Sequence, residues 1–224
     1  MIISKASLSI VELTTPDKDV PVLDCICIEP TGVTVACNRN IMVAVLPLSI
    51  EMIKNVPLDD SGRLQTQMVL TSETTRAILK NIPKDRLFKG ALEFCDISND
   101  GVVTTTDGRQ RHTMQITPVK VRFPDYKTEF RNAICGTIMQ NISVMTNRKR
   151  FRSFIECLEK VCPYDGDFSP MQFDFSSSDY VVARSRNELT NQNVVGIIAR
   201  GKSDTMVIDK QEVLLYRMQA KKTT

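Results

Sequence analysis

A strand, a hydroxyl or amide cap, an amphipathic helix and a set of short strands follow one another twice along this chain. In the first copy Gln67 to Leu70 reads as a strand and Thr71-Ser72 as a helix cap. Glu73 to Ile82 then reads as a helix, ended by Pro83. Ala91 to Ile97 and Val102 to Thr106 follow as strands around the turn Ser98-Asn99-Asp100-Gly101, and Arg111 to Val121 is a further strand. In the second copy Thr137 to Met145 is the strand, Thr146-Asn147 the cap, and Arg148 to Cys162 the helix, stopped by Pro163. Met171 to Phe175 and Tyr180 to Arg186 pair around Ser176-Ser177-Ser178-Asp179, and Val194 to Arg200 is the last strand. Leu70-Thr71-Ser72 aligns with Met145-Thr146-Asn147, and Leu92 to Asp96 with Gln172 to Ser176, at an offset of about 75 to 80 residues. A repeated β-α-β-β-β unit implies a stacked or ring-like architecture more than a single catalytic pocket. The fold class expected is α+β, with antiparallel sheets and few helices.

Ahead of these copies, Val20 to Glu29 and Gly32 to Leu46 read as strands separated by Pro30-Thr31-Gly32, and Asn55 to Gly62 as a loop. The 42% apolar and 25% charged content of the 224 residues is that of an ordinary globular protein. No apolar run approaches the roughly 20 residues of a membrane helix, and Met-Ile-Ile-Ser-Lys lacks the plan of a signal peptide. A cytoplasmic protein is expected. The seven cysteines lie mostly inside apolar runs, with Cys25 and Cys27 on one face of a strand. That pair alone can be imagined on a metal, but no second Cys-His cluster follows at zinc spacing, so buried reduced thiols are expected.

Chemistry-bearing patterns are sparse. No phosphate-binding glycine loop, zinc signature or Gly-x-Ser-x-Gly elbow occurs. The single histidine, His112, sits in a predicted strand, where an exposed or capping role outweighs a catalytic one. Asp59-Asp60 and Asp165-Gly166-Asp167 can in principle hold a metal or work as acid and base. Their glycine and turn-forming neighbours read as solvated loops. The expectation is a protein without catalysis, cofactor or metal.

The net charge of +3 does not by itself point to nucleic acid, so the placement of the cations matters. In Arg148 to Cys162 the residues Phe151, Phe154, Ile155, Leu158 and Cys162 fall on one helical face. Lys149, Arg152, Ser153, Glu156 and Lys160 lie opposite, with Arg148 and Arg150 on the flanks. In the first copy Ile78, Ile82 and Thr74 face inward, which turns Arg76 and Lys80 outward one turn apart. Each face reads equally as a solvated helix with Arg152-to-Glu156 pairing or as a phosphate-contacting surface.

Arg122-Phe123-Pro124-Asp125-Tyr126 stands between the two copies. It resembles the "(K/R)FPDY" domain-closing motif of the bacterial DNA polymerase III β subunit, the sliding clamp. Val22 to Glu29 followed by Gly32 to Ala36 resembles that family's first strand pair, and Leu70 to Leu79 its second-helix segment. The proline restricts Phe123 to extended geometry, and Phe123 and Tyr126 are placed to anchor a rigid junction. The resemblance implies a divergent two-domain member, with clamp-like domains at 1–129 and 130–224, the second shortened. It also implies a non-catalytic processivity platform. Its partners would be duplex DNA, held without sequence preference, and a DNA polymerase or other clamp-binding proteins, with no membrane. The expected DNA contacts are Arg76, Lys80, Arg148, Lys149, Arg152 and Lys160. A homo-oligomer is expected, a trimer if two-domain chains close a ring. The chain departs from the family in having room for two domains instead of three. Cys37-Asn38 also stands where the family has a Thr-Asp pair, and Ala6 to Leu13 is a short candidate for the first helix. The alternative reading is a clamp-fold regulatory module that does not encircle DNA.

Overall fold

The computed structural model describes residues 1–17, 19–83, 93–135, 147–163, 171–175 and 179–200. Strand β1 (Ile2–Ser4) runs straight into helix α1 (Lys5–Ser9) and a 3-10 turn over Ile10–Leu13. Ser4 starts the helix, because its Oγ accepts from the Ser7 amide at 3.0 Å and pairs one of the amides that a helix start leaves free. A 3-10 turn at Pro21–Asp24 leads into the antiparallel meander β2 (Cys25–Ile28), β3 (Thr34–Cys37) and β4 (Ile41–Val45). The two long strands expected here are therefore broken. Pro21 opens a turn where a strand was predicted. The Asn38 side chain accepts from the amides of Asn40 and Ile41, at 3.1 and 2.9 Å, and bends the chain between β3 and β4. Gly32 closes the β2–β3 turn at φ +88°, a conformation that favours glycine. This N-terminal segment is thus itself a β-α-β-β-β unit.

After helix α2 (Ile50–Lys54) the second unit runs β5 (Met68–Thr71), α3 (Ser72–Asn81), β6 (Phe94–Ile97), β7 (Val102–Thr106) and β8 (Arg111–Gln115). Thr71 caps α3, its Oγ1 accepting from the Thr74 amide at 3.2 Å. The strand expected to reach Val121 stops at Gln115. Beyond it the chain crosses to the other sheet, where the Val119 amide donates to the Val69 carbonyl at 2.9 Å. Helix α4 (Tyr126–Cys135) then starts inside the Phe123–Tyr126 motif, where no helix is expected from sequence. The third unit is α5 (Arg148–Val161), β9 (Gln172–Asp174), β10 (Tyr180–Asn187) and β11 (Gln192–Ala199). The strand predicted at Thr137 to Met145, the Asp165-Gly166-Asp167 loop and the tail beyond Arg200 lie outside the described residues.

The first two units exchange strands. β1 joins the second meander and β5 the first, giving one sheet ordered β1-β6-β7-β8 and another ordered β5-β2-β3-β4-β11-β10-β9. The third unit enters the larger sheet by laying β11 antiparallel on β4, from Val194 opposite Val45 to Ile198 opposite Ile41. Every pairing is antiparallel, and five helices accompany the strands among the described residues, so the α+β, few-helix expectation stands.

The larger sheet is covered on both faces, which is why β2 and β4 read as unbroken apolar runs. Ile26, Ile28, Ala36, Val43, Val45, Leu70, Ala183, Val194 and Ile198 pack with α1, α3 and α5. Their strand neighbours Cys25, Cys27, Val35, Cys37, Met42, Ala44, Val69, Val182 and Ile197 pack beneath Phe123, Tyr126 and Ala133. The third unit fits closely. A Cβ on Gly196 would lie 2.3 Å from Cε2 of the buried Phe154 ring, so only glycine lets α5 seat on β11 at this point. Gly196→Val is expected to lower stability by about 1–3 kcal/mol, the usual range for overpacking a core. The urea midpoint, with unchanged m-value, checks this.

Candidate functional site

Three helical segments lie side by side over the larger sheet. α3 packs on β5 and β2, α1 with its 3-10 extension on β2, β3 and β4, and α5 on β11, with α1 touching both neighbours. In α5 the buried residues are Phe154, Cys157, Leu158 and Val161, while Phe151 and Ile155 are half-buried. The apolar face is thus rotated slightly from the predicted one. In α3 the buried threonine is Thr75, whose Oγ1 donates to the Thr71 carbonyl at 2.8 Å, and not the predicted Thr74.

The opposite faces are polar, and all six predicted cations are exposed. Their surroundings differ. Arg152 is bound by Glu156 at 2.8 Å one turn on, the helical pair expected from sequence, and Lys160 by Glu12 at 2.9 Å. Arg76, Lys80, Arg148, Lys149 and also Arg150 make no ion pair among the described residues. The last three fill the first turn of α5, where Asn147 caps the amides of Lys149 and Arg150 and no acidic residue is present. A helix start carries partial positive charge, so three cations there repel the dipole and one another.

The sheet's other face carries a groove of about 250 Å³ at the end of the β4–β11 seam. Ile41, Met42, Ile197 and Ala199 form its apolar floor, and Asn38, Arg39, Glu129 and Tyr180 its rim. The Tyr180 hydroxyl donates to Glu129, which ties α4 to β10 and pushes the phenol up to about 12. Sequence reading missed this groove because its parts come from four segments brought together only by the seam. Phe123 and Tyr126 anchor the same face: both are buried, and Tyr126 meets Phe130 edge to face at 6.5 Å. Asp125 accepts from the Thr128 amide and hydroxyl, at 3.2 and 2.7 Å, and so caps α4. Pro124 accepts from the Tyr126 amide at 2.8 Å.

No protein-family model and no curated protein matches the sequence. Solved structures do. An A. fulgidus PCNA, determined with the C-terminal region of FEN-1, is 10% identical with a TM-score of 0.50. The match covers 91% of this chain and 98% of that one. A PCNA2–PCNA3 complex from Sulfolobus tokodaii is 10% identical with a TM-score of 0.45, over 89% of this chain and 98% of that one. The H. pylori β clamp with diflunisal is 9% identical with a TM-score of 0.44, over 95% and 66%. The fold is that of a sliding clamp, shared at an identity that carries the fold alone.

The other chemistry-bearing residues are accounted for structurally. Asp59 pairs with Arg111, which holds its carboxyl below the usual range. Asp60 lies 3.5 Å from the Met1 amine. His112 is exposed, 3.8 Å from Asp107. No cluster of metal-ligating side chains occurs among the described residues, and no helix there is long and apolar enough to cross a membrane. Six of the seven cysteines are buried, and desolvation pushes Cys27, Cys95 and Cys157 up to about 12 and Cys37 to about 11. The exception is Cys135, exposed at the end of α4. The folded protein is expected to release one equivalent of thionitrobenzoate rapidly at pH 8 and all seven only in denaturant, with Cys135→Ser removing the fast phase.

Proposed function

We propose that this chain is a sliding-clamp-like platform that tethers a polymerase or other DNA-processing protein to duplex DNA and catalyses nothing itself. The carrying observation is that α3 and α5, on a clamp fold, both expose cations that no carboxylate holds among the described residues. Such cations suit phosphates, whose contacts hold DNA without reading sequence. An arriving phosphate also relieves the repulsion built into the first turn of α5. Arg76, Lys80, Arg148 and Lys149 are the primary contacts, while Arg152 and Lys160 engage by exchanging Glu156 and Glu12 for phosphate. On this reading the chain is a divergent cytoplasmic relative of the bacterial polymerase III β subunit, with clamp-like domains at 1–129 and 130–224, acting as a homo-oligomer. The groove beside Met42 and Ile197 supports partner docking, and one PCNA of similar fold is bound by the C-terminal region of FEN-1. Taken alone, that groove favours a second reading, a docking module that never encircles DNA.

The charge-reversed variant Arg76→Glu, Lys80→Glu, Lys149→Glu and Arg152→Glu is expected to bind duplex DNA more weakly. Its affinity should also depend less steeply on salt, by about 0.9 in log–log slope for each phosphate no longer neutralised. Equal binding by variant and wild type overturns the DNA contacts. No binding by either leaves the docking module as the function.

A further inference from the structure

The groove beside Met42 lies at one end of the β4–β11 seam. A second groove, of about 570 Å³, lies at the opposite end on the same face of the sheet. The strand registers fix what it presents. Arg184 stands opposite Gln172 of β9 and Val195 of β11, and Arg186 opposite Asn193. The Leu46 amide donates to the Asn193 carbonyl at 2.9 Å, which carries β4 one residue further and sets Leu46 beside that row. Side chains alternate along a strand, so these residues share the face of Val182 and Ile197.

Leu46 and Val195 are half-buried and give the groove an apolar floor. Arg184, half-buried, and Arg186, exposed, stand two residues apart on one strand, a spacing of about 6.8 Å. Arg184 lies 3.7 Å from Asp174, and Arg186 donates to the neutral Asn191 side chain. A guanidinium carries five N–H donors, so each arginine keeps donors for a further acceptor. Glu188, in the turn after β10, also lines the groove.

These features select an occupant. A guanidinium fork matches a carboxylate through two parallel hydrogen bonds. The spacing of the two arginines is that of alternate residues in an extended chain, so acidic side chains at i and i+2 of such a chain meet both. An aliphatic side chain of the same segment removes Leu46 and Val195 from water. Glu188 and Asp174 flank the arginines, so a nucleic-acid backbone, charged at every step, would meet carboxylates here, whereas a peptide can place its charges to match. We propose that this groove docks an acidic, extended segment of a partner protein, with carboxylates on Arg184 and Arg186 and an aliphatic side chain on Leu46 and Val195. Neither the basic helical face nor the groove beside Met42 takes part, so the proposal holds or fails apart from DNA binding.

The full-length protein, with its isoleucine, leucine and valine methyl groups labelled, is titrated with the peptide Gly-Leu-Glu-Leu-Glu-Leu-Gly and followed by NMR. A second titration uses the same peptide with Gln in place of each Glu. The acidic peptide is expected to shift the methyl resonances of Leu46 and Val195 and to leave those of Ile41 and Ile197 in place. The neutral peptide is expected to bind at least about tenfold more weakly. Arg184→Gln with Arg186→Gln is expected to weaken the acidic peptide by a similar factor while thermal unfolding stays cooperative. No shift at millimolar peptide overturns the proposal, as do shifts confined to Ile41 and Ile197, which put the peptide in the other groove. Equal affinity for the two peptides, or for the acidic peptide with and without the arginines, overturns it as well. So does a short duplex DNA that shifts Leu46 and Val195 as the acidic peptide does, which makes this a nucleic-acid surface. Should the double variant fail to fold, the comparison of the two peptides on the wild-type protein decides.

Discussion

The antiparallel seam between β4 and β11 is the contact on which the rest of the structure depends. It joins strands about 150 residues apart in sequence, a costly loop to close, and turns two local meanders into one sheet. The seam carries its own specificity. Gln192, buried at its end, donates from Nε2 to the Ser7 hydroxyl at 3.1 Å and the Leu46 carbonyl at 2.8 Å. It also accepts from Ser4 at 2.6 Å. One amide thus bonds β1, α1 and the exit of β4, and a register slip would leave those buried groups unpaired at about 1–3 kcal/mol each.

Both candidate surfaces follow from that seam. On one face it brings α5 beside α1, so that basic residues from α3 and α5, distant in sequence, share one side of the molecule. Asn187, at the end of β10, donates to the Val161 carbonyl and fixes the C-terminus of α5, while Asn147 fixes its start. The cations are therefore carried on a helix held at both ends. On the other face the same strands leave the groove between the Asn38–Asn40 bend, Glu129 and Tyr180. Two surfaces on opposite sides of one sheet can be occupied together.

Sequence reading recovered what local chemistry dictates. β7 falls on Val102 to Thr106 as predicted, and α3 and α5 differ from prediction by a residue at their ends, because threonine, asparagine and proline mark those boundaries through single hydrogen bonds or their absence. It failed where the decisive partner was remote. Nothing near Ile116 says that the chain leaves β7 to reach Val69. Tyr126, Phe130 and Ala133 do stand at the i, i+4, i+7 spacing of a helical face, a signal passed over because Phe123 to Tyr126 reads as a rigid junction; that face packs on the cysteine-lined side of the sheet. The N-terminal unit was hidden for another reason. α1 is only five residues long, and β2 to β4, covered on both faces, lose the alternation by which strands are recognised.

The cations illustrate the same division. Their exposure was legible from helical periodicity, but their availability was not. Arg152 and Arg76 look alike on a helical wheel. The first is matched by Glu156 one turn later, whereas Glu73, one turn before Arg76, makes no pair with it. Lys160 is matched by Glu12, a residue that reaches it only because the seam packs the 3-10 extension of α1 against α5. Exposed pairs of this kind are worth at most about 1 kcal/mol, so they tune the face without closing it. Among the described residues, the cations of this face that keep no carboxylate partner are Arg148, Lys149 and Arg150 at the first turn of α5 and Arg76 and Lys80 along α3, and those at the α5 start also face the positive end of the helix.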